Sequence, residues 1–115
     1  MDQPISVDAH NIKMLDFRKQ SIDRLFGMAR DEKALISDRV AALVCVLDVG
    51  ELKMSKELRA SSMSRDFQDA AEQDRVHLRA RKAASLATLQ AFSADATLEN
   101  KSRNLARCAL RRFTA

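Results

Sequence analysis

The sequence predicts an all-α protein, a single-domain bundle of four or five helices, and three observations carry that prediction. Two Gly, one Pro and no Trp or Tyr in 115 residues leave few turn signals and few side chains that favour strands. Apolar residues recur every three to four positions through most of the chain, which is the helical period. The stretch from Ser64 to Ala94 contains neither Gly nor Pro, so it reads as one long helix of about 46 Å at 1.5 Å per residue.

Taken in order, Met1 to Ser6 hold the only proline and no periodic pattern and are expected to be a disordered lead-in. A first helix is expected from Val7 to Met28, capped by Ser6 or Asp8, with Leu15, Ile22, Leu25, Phe26 and Ala29 on one face and Gly27 weakening or closing its end. The second is centred on VAALVCVL, Val40 to Leu47, eight residues without a charge, and is expected to span Asp31 to Val49. Ile36, Val40, Leu43 and Leu47 form one stripe and Leu35, Ala42, Val46 and Val49 a second, so neighbours should wrap it on most sides. Gly50 is the expected left-handed stop. Leu52, Met54 and Leu58 allow a short helix over Glu51 to Ala60, and a break is expected near Ser61 to Ser64 because serine competes for backbone hydrogen bonds.

The long helix begins with Asp66, Asp69 and Glu72 and carries Arg79, Arg81 and Lys82 later, an order that suits the helix dipole. Its apolar positions, Phe67, Ala70, Ala71, Leu78, Leu89 and Phe92, are diluted by alanine, which permits close packing but buries less area per turn. Asp95 or Thr97 should cap a last helix reaching Phe113, with Leu98, Leu105, Ala109 and Phe113 inward and Arg103, Arg107 and Arg111 along its outer side. No internal repeat, low-complexity tract or inter-domain linker interrupts this order.

The net charge of +4 is unevenly spread. Residues 1–57 hold nine Lys and Arg against ten Asp and Glu, a net of −1, whereas residues 58–115 hold eleven against six, a net of +5. A basic C-terminal third points to an acidic partner, nucleic acid or protein. VAALVCVL is far shorter than the roughly 20 residues that span a bilayer, so the chain reads as soluble and cytoplasmic. Cys45 and Cys108 lack the short spacing of a metal site or redox pair; Cys45 reads as a small core hydrophobe and Cys108 as a free thiol on an Arg-rich helix.

No residue set carries a recognisable chemistry. His10 and His77 are single and lack a second ligand three or four positions on, so no metal site is expected. Asp66, Asp69 and Asp74 read as a solvated helix face rather than a catalytic group. Gly27 and Gly50 alone cannot build a phosphate-cradling loop, which excludes nucleotide enzymes of the P-loop and dinucleotide types. A helix-turn-helix around Gly50 would need an apolar residue where Lys56 stands.

The functional expectation is therefore a small non-enzymatic protein, without cofactor, that binds a macromolecular partner: a protein-binding adaptor, chaperone or regulator, with DNA or RNA binding through the basic third as the alternative. The residues proposed to meet the partner are Arg103, Arg107 and Arg111 together with Arg79 and Lys82. A homodimer is also expected, because a helix of about 46 Å exceeds the roughly 35 Å diameter of a domain this size. Phe67, Leu89 and Phe92, near the ends of the long helix, would form its interface unless the helix breaks near Ser85 or the last helix folds back over the overhang.

Overall fold

The computed structural model describes residues 7–52 and 65–114, and among these the fold is all-α, with four helices and no strand. They are α1 (Val7–Ala29), α2 (Ile36–Asp48), α3 (Arg65–Ala94) and α4 (Asn100–Thr114). The expected short helix over Glu51 to Ala60 and the break near Ser61 to Ser64 lie almost wholly outside the described residues, as does Met1 to Ser6.

The spine is α3, the longest helix. Leu15 packs with Phe67 and Ala71, Ile22 with Leu78, and the Arg81 guanidinium lies over the Phe26 ring, so α1 and α3 run parallel. Antiparallel to both is α2, which sets Val46 beside Leu78 and Arg39 over Phe92. In turn α4 runs back along α3, with Arg107 Nη2 donating to the Ser93 carbonyl and Arg112 reaching Asp48 at the end of α2. The outer helices α1 and α4 are the one pair among the four whose backbones do not come within 8 Å, though both contribute to the shared core cluster.

At one end four helices close around a shared core. Leu43 is fully buried and meets Phe26, Val40, Leu89, Phe92 and Ala106 within one cluster. At the other end, among the described residues, α1 and α3 continue as a two-helix arm whose core is Leu15, Phe67 and Ala71, backed by Ile12 and Ala70. The molecule is accordingly elongated, 63 × 29 × 15 Å with a radius of gyration of 17.9 Å, against about 13 Å for a compact chain of this length.

Several local expectations are corrected. The central helix starts at Ile36 and not at Asp31, because Asp31 forms a turn: its carboxylate accepts the Lys33 N–H at 3.0 Å and its carbonyl accepts the Ala34 N–H at 3.0 Å. Leu35 then sits at the N-cap in extended conformation, 70 % exposed rather than in a buried stripe. Gly50 is no left-handed stop, since no glycine has a positive φ; α2 ends as Val49 turns extended. Gly27 does not close α1, which passes through it to Ala29. Cys45 is exposed, because α2 presents Ala41 and Cys45 outward while Val40, Ala42, Leu43, Val46 and Leu47 fill the core. In α4 it is Ala106, not Leu105, that lies inward; Leu105 is 41 % exposed. Asp95 shapes the α3–α4 turn by accepting the Thr97 N–H and hydroxyl, and α4 begins only at Asn100.

Asp74 is the largest departure. It is buried, and both carboxylate oxygens accept from Arg18 Nε, at 3.0 and 3.2 Å, while Arg18 Nη2 donates to the Gly50 carbonyl. This ion pair interrupts the apolar packing of α1 on α3 between the arm cluster and the Ile22–Leu78 cluster. One turn further on, Asp23 of α1 accepts from Arg81 Nε at 3.1 Å, and His77 Nε2 lies 2.9 Å from the same oxygen without the alignment of a hydrogen bond. The α1–α3 interface thus alternates apolar and ionic layers.

Candidate functional site

The basic row is on the outside of α4, as its four-residue spacing requires, but its members differ. Arg111 is exposed and forms no ion pair among the described residues. Arg107 spans from Asn104 Oδ1 at 3.1 Å to the Ser93 carbonyl at 3.2 Å, so it secures α4 against α3. Arg103 is half-buried and donates to Asn100 Oδ1, leaving its Nε without a partner. On α3, Arg79 pairs with Glu51 at 2.9 Å, and Lys82 is half-buried without an ion pair among the described residues. The Arg79 guanidinium, through its hydrogen bond and its charge, holds the Glu51 carboxyl below its ordinary value. Three of the five candidates, Arg79, Arg103 and Arg107, are thus held by the protein's own carboxylate or carbonyl oxygens.

The three proposed dimer residues are placed against that role. Phe67, Leu89 and Phe92 are buried inside the chain, at 3, 0 and 9 % exposure. Leu15 covers Phe67, while α2 and the folded-back α4 cover Leu89 and Phe92. The overhang inferred from helix length does exist, as the arm, but its exposed apolar residues are others: Met14, Phe17 and Val76, each more than half exposed.

Two of these belong to a surface that the sequence reading passed over. Met14, Phe17, Leu25 and Met28 follow helical spacing down α1, beside the buried face of Leu15, Ile22, Phe26 and Ala29. Phe17 is 65 % exposed and Met28 57 %. Toward its C-terminal end this second stripe becomes one wall of a groove of about 360 Å³, in which Leu25 and Met28 face Ala41, Ala42 and Cys45 of α2. Asp31 and Asp38 stand at that end of the groove. The signal was legible as a second apolar period on α1, but the stronger stripe through Leu15 and Ile22 masked it.

Among the described residues no three or more His, Cys, Asp or Glu side chains are grouped to hold a metal ion, and no helix is long and apolar enough to cross a membrane. Comparison with protein-family models, with curated proteins and with solved structures finds no match. Function must therefore be argued from the surface itself.

Proposed function

We propose that this chain is a non-enzymatic, protein-binding adaptor, chaperone or regulator, and that the outer stripe of α1 with the groove beside α2 is its docking face. The observation that carries this reading is the pairing on one helix of a buried stripe with an exposed one. Apolar side chains scattered singly on a surface need no explanation. Met14, Phe17 and Met28 are instead aligned along about 21 Å of helix and run into a concave apolar strip. Contiguous apolar surface of that kind favours association, and methionine suits it because its unbranched side chain adapts to a partner.

The test compares affinity captures from the native host. Phe17→Asp and Met28→Asp, both at exposed positions, should keep the helical signal and thermal melt of the parent and lose the captured protein. Val76→Asp, exposed on α3 rather than on α1, should keep it. Equal capture by all three variants rejects this face.

Nucleic-acid binding through the basic third is the second reading, supported by the +5 net charge of residues 58–115 and by the exposed Lys101 and Arg111 on α4, which form no ion pair among the described residues. Changing Arg103, Arg107 and Arg111 together to Ala should flatten the slope of log affinity against log salt by roughly 2 to 3. A parent that binds neither DNA nor RNA at low salt ends this reading.

A further inference from the structure

We infer that the α1–α2 groove seats a positively charged amphipathic helix of the partner protein, with its apolar side against Leu25, Met28, Ala41 and Cys45 and its Lys or Arg residues against Asp31 and Asp38. This rests on the docking reading above and specifies the chemistry of the occupant.

The shape comes from the sequence of the two helices. Ala41, Ala42 and Cys45 keep the α2 wall low, while Leu25 and Met28 raise the α1 wall. Large side chains of an approaching helix fit between a low and a high ridge, as they do wherever helices pack. The exposed run from Met14 to Met28 extends this floor to about 21 Å, enough for four turns of a partner.

The charge is one-sided. Asp31 and Asp38 are the charged residues that line the groove, and neither forms an ion pair among the described residues. Asp31 uses one oxygen to accept the Lys33 N–H, which leaves the other open. Two arginines adjoining these acids in sequence are engaged elsewhere: Arg39 donates to the Ala29 carbonyl at 2.8 Å and lies over Phe92, and Arg30 lies over Phe26. Two unneutralised carboxylates beside an apolar strip attract guanidinium or ammonium groups and repel nucleic acid and acidic helices.

A second copy of this chain fits less well. Its basic helix is α4, whose apolar side is already buried against α2 and α3, so only Leu105 and Cys108 would remain to fill the groove.

The two cysteines supply the test, since Cys45 lines the groove and Cys108 lies exposed on α4, outside the groove lining. The probe is a synthetic amphipathic helix of about 16 residues, near the length of the exposed run, with leucines on one face and lysines on the other; its control carries glutamate for lysine. Alkylation of each cysteine in the full chain is followed by mass spectrometry. The lysine peptide should slow Cys45 by about tenfold and leave Cys108 unchanged, the glutamate peptide should protect neither, and added salt should weaken the protection. Asp31→Asn with Asp38→Asn should raise the lysine peptide's half-protecting concentration by about tenfold, roughly the effect expected for two charge-assisted contacts.

Equal protection by both peptides overturns the proposal, as does slowing of both cysteines, or protection of Cys45 that grows with protein concentration alone, which would make the occupant a second copy. No protection by the lysine peptide also overturns it. The docking reading stands apart from these outcomes, because it is decided by whether Phe17→Asp and Met28→Asp lose the native partner.

Discussion

Around Leu43 four helices converge and exclude water, whereas around Leu15, among the described residues, only α1 and α3 meet. Both regions use the same spine and the same parallel pairing. What differs is how many neighbours each apolar side chain has, and the arm adds an ionic layer, Arg18 with Asp74, where the wider end has leucines and phenylalanines. Elongation therefore has a physical cause. Three apolar residues and an ion pair are enough to hold two helices together as an extension of a larger core, but they leave Met14, Phe17 and Val76 uncovered.

The largest effect that tests this contrast is core truncation. Leu43→Ala should cost about 2 to 5 kcal/mol, because three neighbouring helices hold the cavity open. Leu15→Ala in the arm should cost about 1 to 2 kcal/mol, since the space borders solvent and the two helices can close over it. Leu52, 39 % exposed, should cost less than Leu43. Denaturant melts of the three variants measure this, and equal losses at Leu43 and Leu15 would mean that the arm is as enclosed as the wider end.

The ionic layer should show an asymmetry of its own. The Arg18 side chain is 26 % exposed and that of Asp74 only 3 %. Removing Arg18 strands a buried carboxylate, whereas removing the Asp74 charge leaves an arginine that can reach water. Arg18→Met should thus cost about 3 kcal/mol and Asp74→Asn less, while Arg18→Met with Asp74→Leu should recover most of the loss. Should the double variant be as unstable as Arg18→Met, the pair would be setting the register of α1 on α3 rather than merely bridging them. Hydrogen exchange sharpens the same contrast: amides around Leu15 should open with a smaller free energy than those around Phe26, and uniform protection along α1 would remove the distinction between arm and core.

Much of this fold was legible in the sequence because burial follows period. The inward positions of α3, Phe67, Ala71, Leu78, Leu89 and Phe92, and of α1, Leu15, Ile22, Phe26 and Ala29, stand out by spacing alone and are all buried. Three kinds of feature were not legible. Asp74 looks like any acid on an acidic first half of a helix, and only the tertiary approach of Arg18 makes it a core residue. Cys45 and Leu105 lie beside buried positions, where a shift of one residue on a helix turns a side chain by about 100° and reverses its exposure. The groove between α1 and α2 depends on which flank of α1 receives α2, and no local pattern states that. The basic row was the opposite case: Arg103, Arg107 and Arg111 are conspicuous in sequence, yet Arg107 holds α4 to α3.

The smallest effect separates two carboxylates by the kind of group that perturbs them. Asp95 is held below its ordinary value first by the Thr97 hydroxyl and then by the Thr97 N–H, both neutral donors fixed by the turn between α3 and α4. Glu51 is held down by Arg79, first through a hydrogen bond and then through charge. Each is a carboxyl whose folded pKa is depressed. Its contribution to stability is therefore present above the unfolded-state pKa and lost as pH falls through the lower folded-state value. Concentrated salt screens the attraction of an exposed ion pair and leaves short hydrogen bonds to neutral donors largely intact. Titration of the two carboxyl resonances by NMR, at low and high salt, should move Glu51 back toward its ordinary value while Asp95 stays depressed. Thr97→Val should release Asp95 in part, since it removes the hydroxyl and keeps the N–H. If salt releases both carboxyls equally, the nearby charge of Arg103, the weakest of the influences on Asp95, would have to be the dominant one, and the turn would not be the local, hydrogen-bonded device described here.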